Sequence, residues 1–480
     1  MNMYRQQRYD ECIKEVKSKL KQSPNSLHLL NYQAMAYSAL KKDREALMSY
    51  QKIIKKDPSL AGPYYNMGVI LKRTGRVKEA MDSYKRAISL KNDYVQAYNN
   101  LGVLYKDNEK YENAIKMFTK AKEIQPDHQN SYFNLALIKK EQGLIEEALK
   151  LLLKVLDINP EHNEANFLYG LISITIDNLK EGWKYFEYRW KVSPGNKTTW
   201  PFQDKPVWKG ERGKRVVLWK EQGIGDQIIF LSLVKEVKAM CSSLSVYVDP
   251  RLGSLCRRAM PEIDFIPNEK ELERAKCDYH LPIQSIGGLI RNDISDFDRS
   301  VKGYLKADPQ RVEAIRDELN LAGKTVIGIS WRSFNTRYKT KSVQLRDMER
   351  IFSDLDVVLV NLQYGDVDDE IRAFKEETGI DVLQCASVDN REDLDGLAAL
   401  IEACDLVIST SNVTVHMAGA LAKETWVLLP YVMVNFWWLL ERPDSIWYPT
   451  LRLYRQTSLN DWNSVYSAIR KDLQRKLIKT

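Results

Sequence analysis

The sequence is poor in the residues that hold metals and crosslinks. Its 480 residues include five histidines and six cysteines, and Cys12, Cys241, Cys256, Cys277, Cys385 and Cys404 are scattered without a C-x-x-C pair. That spacing argues against a structural zinc site or a disulfide framework. Long apolar runs are also missing. The most apolar stretch, residues 426–440, is broken by Pro430 and falls short of the roughly 20 residues that cross a bilayer. The first residues, MNMYRQQRYDEC, have no apolar signal core. A reduced, cytoplasmic protein is expected, in which the N-x-T sequons at Asn196 and Asn412 carry little weight. Blocks of one charge are absent too: 72 basic and 64 acidic residues alternate along the chain, so the net charge of +8 reads as solubilising and no nucleic-acid partner is expected. With 44% hydrophobic residues the composition is that of an ordinary globular protein, long enough for two or three domains.

What is present is periodicity. Pro24, Pro58, Pro126, Pro160 and Pro194 stand on a 34-residue lattice, with Asn92 in the remaining place. Small residues recur where two helices must cross closely: Gly68, Gly102, Ala136 and Gly170 in a first helix, and Ala46, Ala80, Ala114, Ala148 and Gly182 in a second. From Tyr98 the chain reads Y-x-x-L-G-x-x-Y, followed by Ala114, Phe118 and Pro126, which resembles the tetratricopeptide repeat. A half repeat and five repeats (27–194) are expected to form an α-solenoid over residues 1–194. Such arrays stack into superhelices whose surfaces hold peptides or proteins. Asn66, Asn100 and Asn134 lie on one line, flanked by Tyr32 and Leu168 at the equivalent places. An amide row suits gripping a peptide backbone, and it equally suits repeat-to-repeat packing.

The last repeat, with Trp183, Tyr185, Phe186, Tyr188 and Trp190, and the stretch after it, with Trp200 and Trp208, are dense in aromatics. They are expected to pack against the following domain, with residues 195–214 as a fixed connection. After Lys214 the pattern changes to β-branched runs alternating with helical ones, at 215–219, 243–248, 325–331, 356–363, 405–410 and 424–430. This is parallel α/β logic. Two Rossmann-like halves are expected, 215–310 and 311–480, with a hinge near 303–324. A final amphipathic helix, 462–477, is expected to cross back over the first half.

Ligands of open α/β sheets sit beyond the carboxyl ends of strands. Three segments fall there. In E-Q-G-I-G-D-Q (221–227), Gly223 and Gly225 permit close backbone approach, and Asp226 at a helix start is either a cap or a catalytic carboxylate. In S-W-R-S (330–333), Arg332 leaves a buried strand ahead of a loop bearing Arg337, Lys339 and Lys341, placed to meet an anion. In 409–422, Ser411, Asn412, Val413 and Thr414 open a small-residue helix whose N–H groups suit a diphosphate, and His416 is either a further donor or a core residue. Asp366, Asp368 and Asp369 invite a metal reading, against which a solvated acidic turn is preferred; no metal and no cofactor is assigned.

These residues together resemble the bacterial tetratricopeptide-repeat glycosyltransferases of the GT-B type. The catalytic half is similar to the ADP-heptose lipopolysaccharide heptosyltransferases, and the overall plan is similar to the protein O-GlcNAc transferases. The resemblance rests on E-Q-G-I-G-D, G-I-S-W-R-S, S-N-V-T-V-H-M-A-G-A-L and W-Y-P-T-L-R-L-Y-R-Q, and covers nearly all of the chain. It implies an inverting, metal-independent transferase with a nucleotide-sugar donor, Asp226 as base, and Arg332, Lys341 and residues 411–416 at the leaving diphosphate. A protein acceptor would be recruited by the repeats. The family's D-T-G/S-x-x-H loop aligns with Ser411 to His416, but this chain has no carboxylate in the 409–412 turn, which leaves the donor open. Trp437, Trp438 and Trp447 either wall the donor or pack a core. Two other readings stand beside this one: a repeat scaffold with a degenerate transferase half, and a transferase acting on a glycan or lipid-linked acceptor.

Overall fold

The structure, a computed structural model, describes residues 2–192, 200–298, 300, 303–333, 341–432 and 436–478. Pro194, Asn196, Arg337 and Lys339 lie outside the described residues. The chain divides into two compact units, Met1–Ala165 and Asn166–Thr480.

The first unit is a helical repeat array. After Tyr9–Gln22 come the pairs Leu27–Ala39 and Asp43–Lys56, Ala61–Arg73 and Val77–Leu90, Val95–Asp107 and Tyr111–Ile124, and Gln129–Glu141 and Ile145–Ile158. Pro24, Pro58, Pro126 and Pro160 sit just past helices, where a residue without an N–H cannot extend a helix. The small residues are small because rings fill their space: a Cβ added to Gly68 would lie 2.6 Å from the Tyr84 ring, and one on Gly102 would lie 2.6 Å from that of Phe118. Tyr84, Phe118 and Leu152, one lattice step apart, are fully buried beside Ala80, Ala114 and Ala148. Each such side chain contributes about 1.5–3 kcal/mol of burial. The Asn line takes part in this packing. Asn100 Nδ2 donates to Tyr65 Oη at 3.3 Å, and Asn134 Nδ2 to Asn99 Oδ1 at 3.1 Å, so these amides tie the first helices of successive repeats.

In the second unit, the helices of the last repeat continue to Leu179–Phe186 and Arg189–Val192. The compact unit begins at 166, whereas the repeat lattice runs to 194, because the aromatics of this repeat are buried in the α/β core. The Trp183 indole donates to Arg291 O at 2.7 Å, and a Cβ on Gly287 would lie 2.6 Å from the Trp183 ring. Residues 200–214 are likewise fixed, with Phe202 and Trp208 buried and the Trp208 N–H bonded to His280 O.

Two all-parallel sheets follow. The first contains β1 (Arg215–Trp219), β2 (Ser243–Tyr247), β3 (Asp264–Ile266) and β4 (Tyr279–Pro282) in the order β3-β2-β1-β4, with Val217 opposite Ser245 and His280. The second contains β5 (Val326–Ser330), β6 (Val358–Asn361), β7 (Val382–Leu383), β8 (Leu406–Thr410), β9 (Thr425–Leu429) and β10 (Leu451–Arg455), in the order β10-β9-β8-β5-β6-β7. Strands β5, β8 and β9 are buried throughout, which explains their unbroken apolar runs. The final helix, Trp462–Leu477, has the expected bounds but a different place. Its Val465, Tyr466, Ile469 and Leu473 pack with Ile327, Leu406 and Trp426 of the second sheet, and Arg470 binds the carbonyls of Ile351 and Ser353. The crossing back to the first half is thereby corrected: the apolar stripe finds its cover on the sheet it follows.

Strand order reverses between β1 and β4 in the first sheet, and between β5 and β8 in the second. At such points the connections diverge to opposite sides and leave a crevice at the carboxyl ends.

Candidate functional site

Both crevices are built from the segments picked out above. At the first, β1 leads through Glu221 and Gln222 into the helix Ile224–Leu231, capped by Gly223. Gln222 holds φ at 52°, a left-handed conformation that a non-glycine residue adopts at a cost. Asp226, the third residue of the helix, reaches back to the Gly223 N–H at 3.3 Å, as a cap does. Its other oxygen, Oδ1, accepts the indole N–H of the buried Trp437 at 3.0 Å. The residue keeps some exposed surface, but protein packs densely around its carboxyl group. That burial raises the pKa above the ordinary carboxylate value, against the pull of the two hydrogen bonds and of the Lys341 charge. A carboxylate tuned upward in this way is a stronger base.

The turn is anchored from behind. Glu221 forms a bidentate pair with Arg189 at 2.8 and 2.9 Å, both side chains being 4% exposed. Arg189 also binds Ser285 Oγ at 2.7 Å and Glu187 at 2.7 Å. Gln284, next to Ser285 past the end of β4, donates its backbone N–H to Glu221. Its side chain is fully buried, with no hydrogen bond at either amide atom among the described residues. Sequence reasoning missed Arg189, Glu221 and Gln284 as a group, because their partners lie 32 to 96 residues apart.

At the second crevice, Asn412 caps the helix Val413–Ala420: its Oδ1 accepts the Thr414 N–H at 3.0 Å, and its Nδ2 donates to Ser330 Oγ at 2.7 Å and to Arg332 O at 3.3 Å. The Asn412 amide thus welds the ends of β5 and β8. Ser411 Oγ accepts the Trp438 indole N–H at 2.8 Å. Gln363 Oε1 accepts from Ser330 Oγ and from the N–H groups of Trp331 and Arg332. Arg332 itself is turned to an acid, with its guanidinium 2.7 Å from Glu370 Oε2 and bonded to Asp366 O. Asp368 and Asp369 open the helix Asp368–Thr378, where acidic residues complement the helix dipole. Beside them, at the carboxyl ends of β6 and β7, is an open polar hollow of about 480 Å³ lined by Asn361, Gln363, Asp366, Gln384 and Asn390.

The two crevices meet. The helices Ile224–Leu231 and Val413–Ala420 pack together, and a Cβ on Gly225 would lie 2.8 Å from the His416 ring. His416 stacks on Trp438 with centroids 5.3 Å apart and bonds Tyr448 Oη at 3.3 Å. Burial, then the nearby Lys341 ammonium, pulls its pKa down to about 3, so the ring is neutral at physiological pH. Lys341 is 6% exposed; burial lowers its pKa, and the Asp226 charge opposes that. Asp226, Lys341 and His416 thus form one electrostatic cluster, with residues 411–414 at its edge. Trp437 and Trp447 belong to an aromatic core with Phe230, from which Trp437 also reaches Asp226, while Trp438 bonds Ser411 and stacks on His416. The Asn66, Asn100 and Asn134 line lies in the other unit.

Residues 32–59 and 93–161 match tetratricopeptide repeat models, and residues 70–109 match a TPR repeat model. The front of the chain is a tetratricopeptide-repeat array. The chain is 30% identical over 313 residues to Protein FlbA of Caulobacter vibrioides, a match that covers 61% of this chain and 52% of FlbA. The chain therefore spans about half the length of this curated relative, and the matched share is longer than the repeats, so it enters the α/β half. Among solved structures, MamA is 26% identical with a TM-score of 0.32, over 34% of this chain and 95% of that one. PilW, described as a widely conserved type IV pilus biogenesis factor, is 20% identical with a TM-score of 0.37, over 40% and 91%. No helix among the described residues is long and apolar enough to cross a membrane.

Proposed function

We propose that the α/β half is a GT-B-type glycosyltransferase that moves a sugar, with inversion and without a metal, from a nucleotide-activated donor to a protein acceptor recruited in the cytoplasm by the repeats. The observation that carries this reading is the meeting of the two switch-point crevices, which puts a buried carboxylate, Asp226, beside a buried ammonium, Lys341, and the opening of the helix Val413–Ala420. In the reaction, the acceptor hydroxyl oxygen forms a bond to the anomeric carbon, its proton passes to Asp226, and the bond from that carbon to the diphosphate breaks. The charge left on the diphosphate is met by Lys341 and by the N–H groups at the start of the helix. The neutral His416 supplies a wall and a hydrogen-bonding edge without competing for the proton. The amide-lined hollow beyond β6 and β7 takes the nucleoside, whose edges present both donors and acceptors.

A second reading, a repeat scaffold whose α/β half binds a nucleotide without transfer, is favoured by one contact: the Arg332 guanidinium is paired with Glu370. Thermal shift of the full chain against UDP, GDP, ADP, CMP and dTDP and their sugar conjugates tests both. Selective stabilisation by one nucleotide sugar, with slow release of its nucleotide that Asp226→Asn abolishes, supports transfer. Stabilisation without any turnover supports the scaffold, and no shift with any of them removes both.

A further inference from the structure

Three first helices of the array carry one repeating stripe. In Ala61–Arg73 it is Tyr65, Val69 and Lys72; in Val95–Asp107 it is Asn99, Val103 and Lys106; in Gln129–Glu141 it is Phe133, Leu137 and Lys140. The i, i+4, i+7 spacing puts each set on one face. All nine residues are half-buried, whereas the neighbouring Gly68, Leu71, Leu101, Leu104, Leu135 and Ile138 are buried. The three helices lie side by side, since Asn100 bonds Tyr65 and Asn134 bonds Asn99. The stripes therefore form three parallel rows across the repeats: Tyr65, Asn99 and Phe133, then the apolar Val69, Val103 and Leu137, then the lysines. The lysine row is confined to these repeats, because the same lattice place holds Ser38 in the first and Ile174 in the last.

Among the described residues, two of the three lysines have no carboxylate in ion-pair contact. Lys106 pairs with the adjacent Asp107 at 3.0 Å, and Glu141 attracts Lys140, but among the described residues no carboxylate oxygen lies within 4 Å of the Lys72 or Lys140 ammonium. The cations next to the row are already engaged, Arg73 by Asp43 and Lys139 by Glu147. Burial bears down on the protonated form of Lys140; Glu141 opposes it, and the charge of Lys106 adds the smallest push in the same direction as burial. Ammonium groups in register, partly desolvated and held beside an apolar row, ask for anions carried on an apolar backbone.

We propose that this face of the array binds an extended acidic peptide segment, whose apolar side chains lie along Val69, Val103 and Leu137 and whose carboxylates meet Lys72, Lys106 and Lys140. Neighbouring helices are about 8–10 Å apart and an extended chain advances about 3.3 Å per residue, so a carboxylate roughly every third residue keeps register with the repeats. A nucleic acid would meet the lysines and leave the apolar row unfilled. The assignment stands whether or not the α/β half transfers sugar, because it concerns binding alone.

The test is fluorescence anisotropy of the full chain with a labelled synthetic peptide bearing Glu at every third position and Leu between, at low salt. A peptide with Lys in place of Glu and a labelled oligouridylate are the comparisons. We expect the acidic peptide to bind, the basic one not to, and the combined Lys72→Gln, Lys106→Gln, Lys140→Gln variant to lose about tenfold or more in affinity. A charge-matched control, Lys52→Gln, Lys85→Gln, Lys120→Gln, at exposed sites of the second helices, is expected to bind as the parent does. Far-UV circular dichroism reports whether both variants keep the fold. The proposal is overturned if the acidic peptide does not bind, if the stripe variant and the control bind it alike, or if the oligouridylate binds more tightly through the same three lysines.

Discussion

The two halves of this chain are organised by different distances. In the array, each residue that matters finds its partner a fixed, short way along the chain: Gly68 meets Tyr84 and Gly102 meets Phe118, sixteen positions on in both cases. In the α/β half, the candidate base meets its indole donor 211 residues away, and Asn412 reaches back 82 residues to Ser330. A local rule repeats and can be read from one strand of text. A site assembled across two switch points has no period, and only its separate pieces are visible. The first arrangement is suited to stacking without limit, the second to bringing unlike groups together once.

The largest effect expected follows from the second arrangement. Asp226→Asn keeps the shape, can accept only one of the two N–H groups, and cannot take a proton, so transfer should fall by about 10²–10⁴-fold while nucleotide binding persists. Nucleotide release from the donor, measured beside a binding titration, checks it; equal loss of both would make Asp226 a structural cap like its counterparts elsewhere. The raised pKa of Asp226 gives a sign to the pH dependence as well. The rate should fall with decreasing pH from above the ordinary carboxylate range, as the base becomes protonated.

The next effect belongs to His416. Its folded pKa of about 3 lies below the ordinary 6.5. In the unfolded chain the ring takes up a proton as pH falls through 6.5, and in the folded chain it does not. The stability this represents is fully present above pH 6.5 and is lost as pH falls toward 3, on the order of 5 kcal/mol over the whole window. Denaturant unfolding of the α/β unit at several pH values should show this slope, and a His416→Gln variant should flatten it. An unchanged slope would mean that other groups set the acid limit.

In the array, Gly102→Ala tests the local rule. The added Cβ would press on the Phe118 ring at 2.6 Å, so helix or ring must shift, at about 1–3 kcal/mol. Gly225→Ala meets the His416 ring at 2.8 Å and should instead weaken ligand binding with little change in the array. Thermal melts of both variants, each with and without nucleotide, separate the two kinds of tightness. If both act alike, the contrast between the halves fails.

Much of this was legible before any coordinates. The proline lattice, the small residues and the bounds of the helix Trp462–Leu477 follow from spacing, and the runs that became β1, β2, β5, β6, β8 and β9 follow from β-branched content. The strands β3, β4 and β7 are too short to show a pattern, and β10 alternates Arg with apolar residues, so none of the four stands out in the sequence. Helix bounds are local, but the surface a helix covers is not, which is why spacing alone does not place Trp462–Leu477 on the second sheet. The candidate site shows the same division. Asp226, Asn412 and His416 are each marked by a turn or a cap, while Trp437, Arg189, Glu221 and Gln284 gain their meaning only from partners far along the chain.

Arg332 is where the two kinds of reading part most clearly, and it carries the smallest prediction. A guanidinium at the end of a buried strand reads as an anion site. In the fold it sits 2.7 Å from Glu370, with both side chains close to one-third exposed, and Glu370 also accepts the Trp331 indole N–H. A pair so open to water is worth about 0.5–1 kcal/mol at most. Arg332→Ala should therefore lower the melting temperature slightly. If Arg332 stays on Glu370 when donor binds, the variant leaves nucleotide affinity within about twofold; if it swings to the diphosphate, affinity falls by about tenfold or more, the size of a charge-assisted bond. Glu370→Gln separates the cases from the other side. Releasing the guanidinium should tighten nucleotide binding if the diphosphate is its alternative partner, and should leave it unchanged if the pair only braces the end of β5.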